Sequence, residues 1–192
     1  MAEQHKEIHF LDSFKVDTRI IREVIDNLMI DLNRCDYVKE EIDEIILAMD
    51  EAITNAIQET LFSKKECESE SKLTHEITIR YRVTYEEFDA TVIDHGKGLD
   101  IDKMLKNTPN KESADYKQQL FDYAKKSESS KLKIRLNGKE ISLNGIGAGL
   151  RIILSFMDKL NIDLIDKKSV LSTNVCSSTE GSILNMQRKR RY

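Results

Sequence analysis

Residues Ile42 to Thr60 read IDEIILAMDEAITNAIQET, and the fold turns on this stretch. Ile42, Ile45, Ile46, Met49, Ile53, Ala56 and Ile57 recur at helical spacing and make one apolar stripe. Glu51 and Asn55 sit one turn apart and off that stripe, on a face softened by Ala48 and Ala52 instead of being covered in charge. A carboxylate and a carboxamide at i, i+4 point the same way, and small neighbours leave room for something to lie against them. That is the spacing for a base and a metal ligand. The plainer alternative is a polar pair on an ordinary amphipathic helix.

Two glycine-bearing stretches follow downstream. Thr91-Val-Ile-Asp94-His-Gly96-Lys-Gly98-Leu99 runs an apolar strand into an acid and then two glycines. Asn144-Gly145-Ile-Gly147-Ala-Gly149-Leu150 opens an apolar helix with alternate glycines. A helix with Glu and Asn, then Asp-x-Gly-x-Gly, then Gly-x-Gly-Leu, in that order, resembles the three sequence boxes of the GHKL ATPase superfamily. Within it, a short chain with EAITNAI and VIDHGKGLD is most similar to the anti-sigma-factor serine/threonine protein kinases, which carry a histidine-kinase-like ATPase domain. The resemblance spans about residues 10 to 187.

Length and composition fit that resemblance. With 192 residues, 40% of them hydrophobic and 33% charged, the chain has enough material for one good core, and it is read as a single domain over 1–192. A net charge of -4 is the wrong sign for a nucleic-acid binder. The basic end, Arg188 to Arg191, reads as the solvated end of a terminal strand. Cys35, Cys67 and Cys176 are odd in number and far apart, as free thiols in a reducing compartment would be. The first ten residues hold no apolar signal-like run and no window is apolar enough to span a bilayer, so a cytoplasmic location without membrane contact is expected.

Taken in order, Glu7 to Val16 alternates as an edge strand. Asp17 is placed as the N-cap of a helix whose stripe runs from Ile20 to Leu32. After the central helix, residues 61–75 are charged, serine-rich and aperiodic, which predicts a mobile loop. Ile77, Ile79, Tyr81, Val83 and Tyr85 alternate with polar residues as a half-buried strand, and Phe88 to Ile93 returns as its partner, delivering Asp94 at the end. Residues 100–143 take the place of the family's nucleotide lid as a long insertion, with a helix expected over 114–127 and a hairpin turning at Asn137-Gly138. That hairpin reads equally as a working part of the lid or as a structural elaboration. A helix over 150–160 and strands over 160–165, 170–176 and 183–187 close the chain, with turns at 166–168 and 179–181.

The expected architecture is an α/β (α+β) two-layer sandwich of the GHKL, or Bergerat, type, with helices on one face of a mixed, mostly antiparallel sheet. The resemblance implies that Glu51 is the general base and Asn55 the Mg²⁺ ligand. It implies that Asp94, Gly96 and Gly98 meet adenine, that Gly145, Gly147, Gly149 and Leu150 form the phosphate turn, and that Ser182 lies near adenine. Each assignment suits its chemistry. An ionised carboxylate accepts from the exocyclic amine of adenine, and the first amides of a helix attract phosphate. A hard cation completes its octahedron with phosphate and water, so one amide oxygen is a sufficient protein ligand. Neither the P-loop nor the dinucleotide glycine pattern is present. The function implied is an ATP- and Mg²⁺-dependent serine/threonine kinase that holds a sigma factor and phosphorylates an antagonist protein, as a possible homodimer. The alternative is a nucleotide-gated protein-binding regulator without phosphotransfer.

Overall fold

The structure is a computed structural model, and it describes residues 6–66, 76–96, 134–136, 139–141, 148–166, 171–172 and 179–191. In chain order these form β1 (Ile8–Lys15), α1 (Arg19–Arg34), α2 (Lys39–Glu66), β2 (Glu76–Val83), β3 (Glu87–Asp94), β4 (Ile134–Leu136) and β5 (Lys139–Ile141). They continue with α3 (Ala148–Phe156), β6 (Lys159–Asp166), β7 (Leu171–Ser172) and β8 (Thr179–Lys189).

One sheet runs in the order β1-β2-β3-β8-β6-β4-β5, with β7 also paired to β6. Every pairing is antiparallel except β4 with β6. The sheet is therefore mixed and mostly antiparallel, as the sequence implied. β2 shows why the chain makes a sheet with one covered face: Ile77, Ile79, Tyr81 and Val83 are all fully buried, while Arg80 between them is exposed. The buried row joins Val24, Leu28 and Leu32 of α1, Ile45, Met49 and Ile53 of α2 and Ile153 and Leu154 of α3 in one core. Each fully buried side chain of this size is worth about 1.5–3 kcal/mol relative to exposure, so the covered face outweighs any local propensity.

Several boundaries differ from the sequence reading. α2 begins at Lys39 and runs to Glu66, well into the stretch expected to be a loop, because a helix already fixed by its apolar stripe adds a hydrogen bond with each further residue. Residues 67–75 lie outside the described residues. α3 ends at Phe156, and Leu160, expected on that helix, is instead buried in β6. Residues 179–181, expected as a turn, begin β8. Thr18, not Asp17, is the N-cap of α1 and makes no side-chain capping bond, although the Asp17 carboxylate accepts the Arg19 N–H at 2.8 Å. The expected hairpin forms, with Ile134 opposite Ile141, and it joins the main sheet with β4 parallel to β6 and β5 at the edge, while the helix expected over 114–127 lies outside the described residues.

The basic end departs most. Arg188 is 0% exposed, donates to Glu44 and to the Phe156 carbonyl, and has Glu41, itself 0% exposed, within 3.8 Å. Arg190 lies over the rings of Tyr37 and Tyr85. Arg191 donates its backbone N–H to Glu41 at 2.8 Å. This end of β8 clamps the start of α2 to the sheet. Among the described residues, no helix is long and apolar enough to cross a membrane.

Candidate functional site

The site is built along α2, and its first pole stands at the end of β3. The β3–β8 register sets Asp94 directly opposite Ser182. Ser182 Oγ donates to Asp94 Oδ2, and the Gly96 N–H donates to Oδ1 at 2.8 Å. Asp94 is 5% exposed. Burial pushes its carboxyl above the usual value, and the Ser182 and Gly96 hydrogen bonds pull it back only in part. With a donor fixed on each oxygen, the remaining lone pairs stay available as acceptors.

Two glycines make this pole possible by what they lack. A β-carbon on Gly96 would stand 2.9 Å from the Glu59 backbone carbon and 2.9 Å from its β-carbon, so β3's exit runs hard against α2. On Gly181 it would stand 2.2 Å from the Asp94 carbonyl oxygen. Gly181, expected in a turn, lies within β8. A glycine inside a strand usually marks such a close approach, and that was the available signal.

The second pole lies where α2 meets α3. Glu51 rests so closely on Gly149 that a β-carbon there would stand 1.7 Å from Glu51 Oε1. Glu51 and Asn55 are half-buried, and no hydrogen bond or ion pair occupies either side chain among the described residues. Leu150 is buried in the core at 6% exposure, a packing position one residue past that contact. Ala48 and Ala52, read as leaving room for a ligand, are instead fully buried, at 0% and 1% exposure. Their small size is used by the core, so the free polar face of α2 is narrower than the sequence implied. Arg151 is the only charged residue of α3, a helix in which Ser155 is the one other polar side chain.

The poles are related by the helix itself. Glu51 and Glu59 are eight residues apart on α2, which places them about 12 Å apart along its axis, with Asn55 midway. Gly98, Gly145 and Gly147 lie outside the described residues. The family of the histidine kinase-like ATPase domain matches this chain over residues 15–173.

The chain belongs to that family. The histidine-kinase-like ATPase fold accounts for helices layered on one face of a mixed, mostly antiparallel sheet. Among solved structures, a chain of the SiaB–SiaC complex from Pseudomonas aeruginosa is similar at 10% identity with a TM-score of 0.50, covering 94% of this chain and 88% of that one. At that identity the likeness is one of fold. No curated protein sequence matches.

Proposed function

We propose that this ATPase-domain chain is an ATP- and Mg²⁺-dependent serine/threonine protein kinase that works by partner switching, holding a sigma factor and phosphorylating an antagonist protein. The observation that carries the reading is the two-pole arrangement on α2: a buried acceptor at Asp94, a free carboxylate at Glu51 against the start of α3, and Asn55 between them. An extended nucleoside triphosphate can bridge such a span, with adenine at Asp94, Gly96 and Ser182 and phosphates at Gly149 and Leu150, joined by Gly98, Gly145 and Gly147. The protein partners rest on the family resemblance of EAITNAI and VIDHGKGLD, and the SiaB–SiaC complex offers a like fold beside another protein.

Each group has a distinct task. Asp94 accepts from the adenine amine, which guanine does not offer in that place. The Asn55 carbonyl oxygen suits a hard cation, and no hydrogen bond within the described chain competes for it. Mg²⁺, when bound, neutralises charge developing on the phosphates. Glu51 takes the proton of the partner's serine or threonine hydroxyl as that hydroxyl oxygen bonds to the terminal phosphorus and the bond from this phosphorus to the β–γ bridging oxygen breaks, so that ADP leaves with the electron pair.

The test is single-turnover transfer from ATP to an antagonist the chain binds, beside nucleotide binding curves. Asn55→Ala should lose Mg²⁺-dependent ATP affinity, whereas Glu51→Ala should keep ATP and lower transfer about a hundredfold or more. A wild-type chain that binds ATP and a partner but transfers nothing would replace the kinase with a nucleotide-gated binding regulator.

A further inference from the structure

We infer that Arg151 grips the phosphate chain of the nucleotide, as a cation set across the mouth of α3 from Glu51. The inference rests on the ATP-binding reading above and adds a residue to it. Arg151 Nε is buried and has no hydrogen-bond partner, and among the described residues no carboxylate pairs with this guanidinium. A guanidinium is always charged and offers five donors in a fork that matches phosphate oxygens. Leaving one of those donors buried and unmet costs stability, and this chain bears that cost in the first turn of α3.

The direction of the side chain follows from the helix. Every Cα–Cβ bond in an α-helix tilts toward the N-terminus, so a long side chain at the fourth residue of α3 reaches back over the first turn. Positions 149 and 151 are about 200° apart around the axis, so Glu51, which rests on Gly149, and Arg151 flank the helix mouth from opposite sides. The first turn of α3 carries no acidic residue of its own. Its first amides lack intrahelical partners, and with the positive end of the helix dipole they add to the positive field at the mouth that Arg151 reaches. The Glu51 carboxylate at the same mouth repels a polyanion, and Arg151 supplies the opposing charge that lets phosphates and Glu51 coexist.

The experiment compares wild type, Arg151→Met and Arg151→Lys by calorimetric binding of ATP, ADP and adenosine with Mg²⁺, and by thermal melting without ligand. Arg151→Met, which keeps the apolar stem, should lose about tenfold or more in ATP and ADP affinity and leave adenosine unchanged. Arg151→Lys should recover part of the loss. Without ligand, Arg151→Met should melt no lower than wild type, since the unmet buried donor is gone. Wild-type ATP affinity in Arg151→Met overturns the assignment of Arg151 and leaves the ATP site standing. Equal losses for adenosine and ATP, or a lower melting temperature without ligand, overturn it in favour of a packing role. A wild-type chain that binds none of the three overturns the ATP reading itself.

Discussion

Glu51 of α2 lies across Gly149 of α3 so closely that no side chain fits between them, with Oε1 only 1.7 Å from where a β-carbon would stand. The two helices thus meet through a carboxylate and a bare backbone. Alanine in place of glycine inside a helix ordinarily gains about 0.5–1 kcal/mol. Gly149→Ala should gain none of it, because the methyl group must push Glu51 away. We expect a melting temperature within a few degrees of wild type and phosphotransfer as low as in Glu51→Ala. In Glu51→Ala/Gly149→Ala the conflict disappears, so the double variant should be more stable than the sum of the single changes. Strict additivity in denaturant titrations would refute the contact.

The adenine role proposed for Asp94 makes a selectivity prediction. Asp94→Asn exchanges an acceptor for a donor facing the adenine amine, so ATP affinity should fall by about tenfold or more. The preference over GTP should disappear with it. Parallel titrations with the two nucleotides measure this, and an unchanged ATP-to-GTP ratio would remove Asp94 from the base pocket.

The same carboxylate makes stability depend on pH. Its folded value is raised from 3.8, so between that value and the folded one the native chain keeps a proton that the unfolded chain has lost. Stability is therefore full below about 3.8, falls as pH rises through that window, and stays lowered above it. Asp94→Asn cannot titrate, so its stability relative to wild type should grow as pH rises through the window. Urea titrations at a series of pH values check this, and a difference that is flat with pH contradicts it.

Gly181→Ala tests the close passage of β8. The added carbon would meet the Asp94 carbonyl at 2.2 Å, and a backbone atom inside a sheet has little room to yield. We expect a loss of about 1–3 kcal/mol, the usual range for overpacking, together with weaker nucleotide binding, because Ser182 is the next residue. Wild-type stability and affinity would show that the passage is wider.

Arg188→Met tests the clamp at the opposite end. Removing the guanidinium leaves Glu41, 0% exposed, without its nearest cation, a change that typically costs about 3–5 kcal/mol. Chemical unfolding should show that loss, while nucleotide affinity measured well below the melting temperature stays as in wild type. A loss under about 1 kcal/mol would mean that the surrounding groups compensate for the charge.

What could be read in the sequence was periodicity and motif order. The β2 alternation and the α1 and α2 stripes gave their elements, because burial of one face imposes the period on the residues. The ordered motifs singled out Asp94, Gly96 and Gly149 as residues of interest, whereas their contacts with Ser182, Glu59 and Glu51 came from the fold. What could not be read was set by pairing across the chain. Arg188 looks solvated in a run of four basic residues, and only the arrival of Glu41 and Glu44 from α2 makes its burial possible. Ala48 and Ala52 look like a vacant face until the core closes over them. Gly181 looks like a turn because its neighbour in space, Asp94, is 87 residues away in the chain. Residues 97–133 and 142–147, which carry much of the expected lid and three of the motif glycines, lie outside the described residues.

The sheet order has a consequence for synthesis. β8, the last strand of this chain, lies between β3 and β6 in the interior of the sheet. A ribosome releasing the chain from its first residue makes both neighbours before the strand that joins them. Until residue 179 and beyond emerge, β3 lacks its β8 partner and Asp94 lacks Ser182. A nascent chain short of β8 therefore lacks the buried Asp94–Ser182 contact, which should form late and all at once, when β8 slots in.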